Sequence, residues 1–354
     1  MSNQRGYRRG AQNRVAITGG WREPRGRGRQ HNAGNQRQGP PPRQMELLAS
    51  VSRSSGLEKD GDTLKNPKVQ QEYRGFIQEK AGRIFFDICK PSDIITEVEK
   101  NHRIEAQENV LILLRKLREG ISSSNRRDHF AIEVYETSLF LSSIFASPRH
   151  ASAIIPYLVP ELYLSCPSPH PNVMPAILVS LAHHLLVSYP SQGPFQQQLD
   201  SIPTSVFPKT SVARLWIASL SASVRTRDYA KFEKLSRQTS ILHALGLPEN
   251  SLPQSGSGQK SDLGLLAICA SIDALRHRTR ETTWSVMRSA YRELACQSES
   301  QTRSWLERSL CLQSNLSSQS TMALDDWLQQ QSELGTVRPK EGVEGRWIVC
   351  KIRM

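Results

Sequence analysis

The sequence predicts a mainly α-helical protein: a helical-repeat, TPR-like solenoid followed by a winged helix and preceded by a disordered tail. Three observations predict it. Apolar residues recur at helical spacing from about Tyr73 onward. From about residue 281 the chain reads helix, helix, helix, strand, loop, strand. Residues 1–43 hold ten Arg, no Lys and one acid, Glu23, which is +9 of the chain's net +13.

The tail comes first. Its Gly, Arg, Gln and Asn, closed by Pro40–Pro42, lack the apolar side chains that offset ordering entropy. Residues 1–70 therefore read as tail and linker, 71–280 as helical repeats, and 281–354 as the winged helix. Ile104, Glu108, Leu111, Leu114 and Arg118 set one helical phase. Phe130, Val134, Ser138 and Leu141 set a second, and Trp284, Met287, Tyr291 and Leu294 a third. Turn chemistry places breaks at Gly120–Asn125, at Pro167, Pro169 and Pro171, and at a surface loop over 247–261. The recurring unit is two helices and a turn without a shared consensus, so each pair buries its face on the next. At the C-terminal end, helices are expected near 283–295, 302–310 and 319–331. Strands follow at Thr336–Pro339 and Arg346–Ile352, joined by a loop from Lys340 to Gly345.

Composition excludes several classes. With 38% hydrophobic and 22% charged residues, the chain has enough apolar side chains for a core. Its six cysteines form no CxxC, and scattered thiols predict reduced, buried residues in an intracellular protein. The start shows no secretory pattern, and Val173–Val187 is too short to cross a membrane, so it reads as a buried core helix. Ser255–Ser261 imitates a phosphate-binding loop, but Gln259 stands where the motif needs glycine before the lysine. Adjacent His183 and His184 point about 100° apart on a helix and cannot chelate one metal as i, i+4 residues do. No hydrolase, zincin or Rossmann motif occurs. The expectation is a non-enzyme without cofactor, metal or membrane partner.

The strongest functional signal is the tail. Arg22, Arg25, Arg27 and Arg29 alternate with glycine near Trp21, an arrangement suited to phosphates and unstacked bases. A second candidate set for nucleic acid is Arg338, Lys340, Arg346 and Lys351, with Arg353 beyond them. Glu341 and Glu344 dilute it. Arg276, Arg278, Arg280 and Arg288 form either a basic stripe or a helix balanced by Asp273 and Glu281. Trp305, Trp327 and Trp347 are candidate partner-interface residues. For Trp284, Trp305 and Trp327 a core position is the competing reading.

Several segments resemble a known family. Leu114–Arg118 with Phe130–Thr137 is similar to the opening of the GANP-type domain, named for germinal-centre-associated nuclear protein, and Phe130–Thr137 resembles its leukocyte-receptor-cluster branch. Asp228–Phe232 resembles a family helix end. Leu275–Arg278 through Ala290–Arg292 resembles its Arg-rich helix leading to an Ala-Tyr pair. The set covers about 110–335 in order. Arg227 stands where the family usually has glycine, and no Met-Cys-Pro segment occurs near Cys89. The resemblance implies a PCI-type protein, a helical repeat with a winged helix. Such proteins pair with another PCI-domain protein, often with a small acidic subunit, and bind RNA or DNA in transcription-coupled mRNA processing or export. It implies the nucleus as location, with the cytoplasm as second compartment. The alternative is a protein-binding subunit of a proteasome-lid-like assembly that does not touch nucleic acid.

Overall fold

The computed structural model describes residues 42–51, 59–89, 96–165, 170–248, 263–316 and 322–351. The tail arginines Arg22, Arg25, Arg27 and Arg29 lie outside these residues. So do Cys166, Arg353, the Cys89 side chain and Ser255–Ser261.

The described chain is mainly helical. Helix α1 (Pro42–Leu47) and a 3-10 segment (Lys59–Lys65) lead into α2 (Pro67–Cys89), α3 (Glu97–Ser123), α4 (His129–Ile144) and α5 (Pro148–Pro156). After a π-type turn (Tyr157–Leu162) and α6 (Tyr163–Ser165) come α7 (Val173–Val187), α8 (Gly193–Ser201), α9 (Val212–Thr226), α10 (Tyr229–Leu235) and α11 (Gln238–Leu245). The 28-residue α12 (Leu263–Ala290) precedes β1 (Glu293–Ala295), α13 (Gln301–Ser309), α14 (Leu324–Glu333), β2 (Val337–Pro339) and β3 (Arg346–Val349).

Local chemistry accounts for several helix starts. Thr96 and Glu99 form a reciprocal capping box at α3, while Asp128, Ser211, Asp228 and Ser300 cap α4, α9, α10 and α13. The break expected over Gly120–Asn125 falls at the C-terminal end of that segment. Helix α3 runs on to Ser123, and the turn follows, with Asn125 at φ 51°. Gly120 serves packing instead: a Cβ there would stand 2.5 Å from the Leu64 carbonyl oxygen, so α3 passes the 3-10 segment at backbone contact. The expected helical phase of α3 also needs amending. Leu111, Leu114, Leu117 and Arg118 are buried, but Ile104 is exposed because the first turns extend beyond the packed body.

Successive helices pack as neighbours, α2 on α3, α3 on α4 and α4 on α5. Helix α12 departs from that order and returns to lie against α7 and α4. These three helices form the centre. Helix α7 is buried nearly all round, from Pro175 to Leu185, as its apolar sequence predicts, and each buried Leu or Ile contributes roughly 1.5–3 kcal/mol. In α4 the buried hydroxyls of Ser138 and Ser142 donate to Val134 and Ser138 carbonyls at 2.6 Å, which lets polar residues sit in the core.

The buried apolar side chains form two clusters. One gathers residues from Met45 to Leu275, with Cys311. The other, from Trp284 to Val349, fills the C-terminal module. Both draw on α12, which runs unbroken past residue 280.

The C-terminal module differs from expectation in one element. A single helix was expected over 283–295, yet α12 ends at Ala290 and Glu293–Ala295 is a strand. The antiparallel sheet has the order β1-β3-β2, with Leu294 opposite Trp347 and Val337 opposite Val349. Those four side chains face the module's core. Three residues are too few for periodicity to separate a strand from a helix end. Ile352 lies outside the described residues, and β3 ends at Val349.

Candidate nucleic-acid and partner interface

The strand alternation that buries Leu294, Val337 and Val349 sends Glu293, Arg338, Arg346 and Ile348 to the outer face of the sheet. Lys340 follows β2 at the loop entrance. Glu293 meets it there: Lys340 Nζ donates to both carboxylate oxygens at 3.1 Å, and Arg346 Nη1 donates to Oε1 at 3.2 Å. Hydrogen bonding from Lys340, then the charges of Lys340 and Arg346, hold the Glu293 carboxyl below its usual range. Two of the four expected cations are thus partly neutralised. Arg338 and Lys351 are exposed and have no ion-pair partner among the described residues.

The loop between β2 and β3 is held at both ends. Lys340 N–H donates to Arg346 O at 2.9 Å, and Cys296 N–H donates to Gly345 O at 2.7 Å. Gly345 takes φ 71°, and a Cβ there would approach Gln297 Cα at 3.0 Å. The hairpin is therefore pinned against the end of β1.

The tryptophans separate. Trp284 and Trp327 are buried and meet edge to face at 4.7 Å. Trp327 is corrected to a core residue, because a side chain 3% exposed offers no surface to a partner. Trp305 and Trp347 are half-buried against the same cluster. Trp305 also supports the exposed ring of Tyr291 at 5.3 Å. These two keep the surface an interface anchor needs.

The arginines of α12 are cross-links, not a basic stripe. Arg276 donates to the carbonyls of Ser236 and Gln313, both at 3.0 Å. Arg280 donates to Leu310 O at 2.8 Å and Cys311 O at 2.9 Å, and Arg288 donates to Cys350 O at 2.8 Å. Asp273 accepts from the Asn315 backbone at 2.8 Å and from its side chain at 2.6 Å. Only Arg278 points outward, 3.8 Å from Glu281.

One polar cluster has no motif in the sequence. Glu136 in α4 is 1% exposed, and its Oε1 accepts from Tyr163 Oη at 2.8 Å and lies 3.0 Å from His170 Nδ1. Its Oε2 accepts from Asn172 Nδ2 at 3.3 Å. Burial pushes the Glu136 carboxyl up to about 7 despite these bonds, and burial lowers His170. His129 stacks on His170 at 5.9 Å. A cleft of about 680 Å³ between α2 and α4 reaches Glu136, with the Arg74–Glu133 ion pair also on its wall. The arrangement can share a proton between Glu136 and His170. Its members lie 27 to 36 residues from Glu136, and only the sequence's general polarity near 161–172 signals them.

His183 is buried, its Nε2 sits 2.9 Å from Ser152 Oγ, and burial pulls it down to about 4. It is a neutral hydrogen-bonding residue. Cys269, Cys296 and Cys311 are free and buried, and Cys350 is free and half-buried. Among the described residues no three His, Cys, Asp or Glu side chains converge to hold a metal. No described helix is long and apolar enough to cross a membrane.

Comparison with protein families, with curated proteins and with solved structures finds no match.

Proposed function

We propose that this chain is a non-enzymatic PCI-type scaffold of the GANP kind. In this reading it pairs with another PCI-domain protein and binds RNA or DNA in transcription-coupled mRNA processing or nuclear export. The observation that carries the reading is the C-terminal order helix, strand, helix, helix, strand, strand, with sheet order β1-β3-β2. We read that order as a winged helix, continuous with a helical body through α12. Arg227 adds support. It takes φ 56°, the left-handed conformation that favours glycine, at the position where the resembled family has glycine.

In this reading the tail supplies most of the nucleic-acid affinity. Its +9 charge neutralises phosphates and releases counterions without regard to sequence. Arg338 on the outer sheet face and the exposed Lys351 just beyond β3, neither with an ion-pair partner among the described residues, add a smaller contribution. The test is anisotropy of a labelled single-stranded RNA with the full chain and with a chain lacking residues 1–43. Binding is expected to weaken steeply between 50 and 200 mM salt, roughly ten-fold or more, and to fall away in the shortened chain. Equal affinity in both chains removes the tail as the main contact.

A second reading is a lid-like subunit that binds only protein. The Glu293 pairing favours it, because it offsets the wing's cations. Affinity purification at mild salt, with and without nuclease, separates the two. Nuclease-sensitive partners support the first, and a nuclease-resistant set of PCI subunits supports the second.

A further inference from the structure

Helices α2 and α4 both pack on α3, and the cleft of about 680 Å³ lies between them. That volume is in the range of small-molecule sites. Its apolar wall comes from Ile77 and Ala81 of α2, Leu114 of α3, and Phe140 and Leu141 of α4. Gly82 stands on the same wall, inside α2. A glycine inside a helix costs stability relative to alanine. Packing does not require this one, because an added Cβ would meet nothing within 4 Å. Its missing side chain leaves the cleft open.

The polar end of the cleft is Glu136, 1% exposed in α4. No lysine or arginine pairs with it among the described residues. Arg74, the guanidinium on the cleft wall, is committed to Glu133. The three partners of Glu136 are Tyr163, His170 and Asn172, and burial favours the neutral form of the His170 imidazole. A buried carboxylate held by neutral donors alone lacks a compensating cation. Nor are its acceptor positions full. Each oxygen has two. Oε1 takes Tyr163 and His170, whereas Oε2 takes only Asn172, which is itself on the cleft wall. One position on Oε2 stays open at the polar end of the cleft. Glu133 and Thr137 of α4 lie on the same wall and add further acceptors.

We propose that the cleft between α2 and α4 binds a primary amine with an apolar body, its ammonium on Glu136 and its body against Ile77, Ala81 and Phe140. The amine supplies the cation that the buried carboxyl lacks. One open position suits a single N–H donor, and the remaining ammonium protons are left for Thr137 and Glu133. A guanidinium needs both carboxylate oxygens for its paired donors and finds Oε1 taken. A quaternary ammonium has no N–H to donate. The site belongs to the helical body and is independent of nucleic-acid binding by the tail or the wing.

The test is thermal unfolding of the full chain with phenethylamine titrated at constant ionic strength and pH 8, above the Glu136 value. The control is 2-phenylethanol, which has the same body and no charge. Phenethylamine is expected to raise Tm saturably, by roughly 3 °C at ten times its Kd, and the alcohol is not. In Glu136→Gln the amine response is expected to vanish while Tm without amine holds or rises, because a buried ionisable group is gone. Gly82→Leu leaves Glu136 intact, fills the cleft and suits a helix better than glycine, so it is expected to weaken amine binding by roughly ten-fold or more. This second variant decides the matter if Glu136→Gln does not fold. No saturable response in the wild-type chain, an equal response to the alcohol, or an unchanged amine response in either folded variant overturns the proposal.

Discussion

At the scale of single residues, Glu136 carries the sharpest consequence. Its carboxyl is raised from the usual 4.5 to about 7, chiefly by burial. A raised folded-state value means the unfolded chain ionises first. The contribution is therefore complete below pH 4.5, declines as pH rises, and is lost above the folded value near 7. Glu136→Gln keeps an acceptor and removes the ionisation. Its stability relative to wild type is expected to improve by on the order of 1–3 kcal/mol between pH 5 and pH 8, read from urea midpoints. The facing groups Tyr163, His170, Asn172 and Glu133 are common to both proteins. A pH-independent difference contradicts the assignment. Arg227 gives a simpler expectation: Arg227→Gly relieves a left-handed side chain at the end of α9 and raises stability by about 0.5–1 kcal/mol in the same assay.

At the scale of elements, β1 decides the electrostatics of the sheet face. It is only three residues long, yet it brings Glu293 against cations 47 and 53 residues away in the chain. Releasing those cations is the direct way to ask whether this face meets nucleic acid. Glu293→Gln is expected to tighten RNA binding at low salt and to steepen the log–log salt slope by about 0.7 to 1.4, for one or two further phosphates. An unchanged slope assigns the sheet face to protein contact or to none. Helix α12 shows the same dependence on distant partners. Spacing leaves its Arg276, Arg280 and Arg288 as either a basic stripe or a helix balanced by Asp273 and Glu281, and each is committed to carbonyls 30 to 62 residues away.

At the scale of the molecule, the two apolar clusters share one helix and a set of guanidinium–carbonyl cross-links. Such coupling predicts one cooperative transition. Far-UV circular dichroism reports mostly the helical body. Fluorescence reports mostly the C-terminal module, which holds Trp284, Trp305, Trp327 and Trp347. The two urea curves are expected to coincide. Separate midpoints show that α12 melts between the clusters and that the module unfolds alone.

The sequence by itself determined the helical character, the buried α7, the concentration of charge in residues 1–43 and the hairpin that closes the chain. Each is a local property, set by periodicity, composition or turn residues within a few positions. Tertiary structure alone decided which arginines are free, that Trp327 is core, that β1 exists, and that Glu136 gathers Tyr163, His170 and Asn172. Those outcomes depend on pairings across tens of residues. A cation reads the same in sequence whether its partner is water, a carboxylate or a carbonyl, and only packing makes that choice.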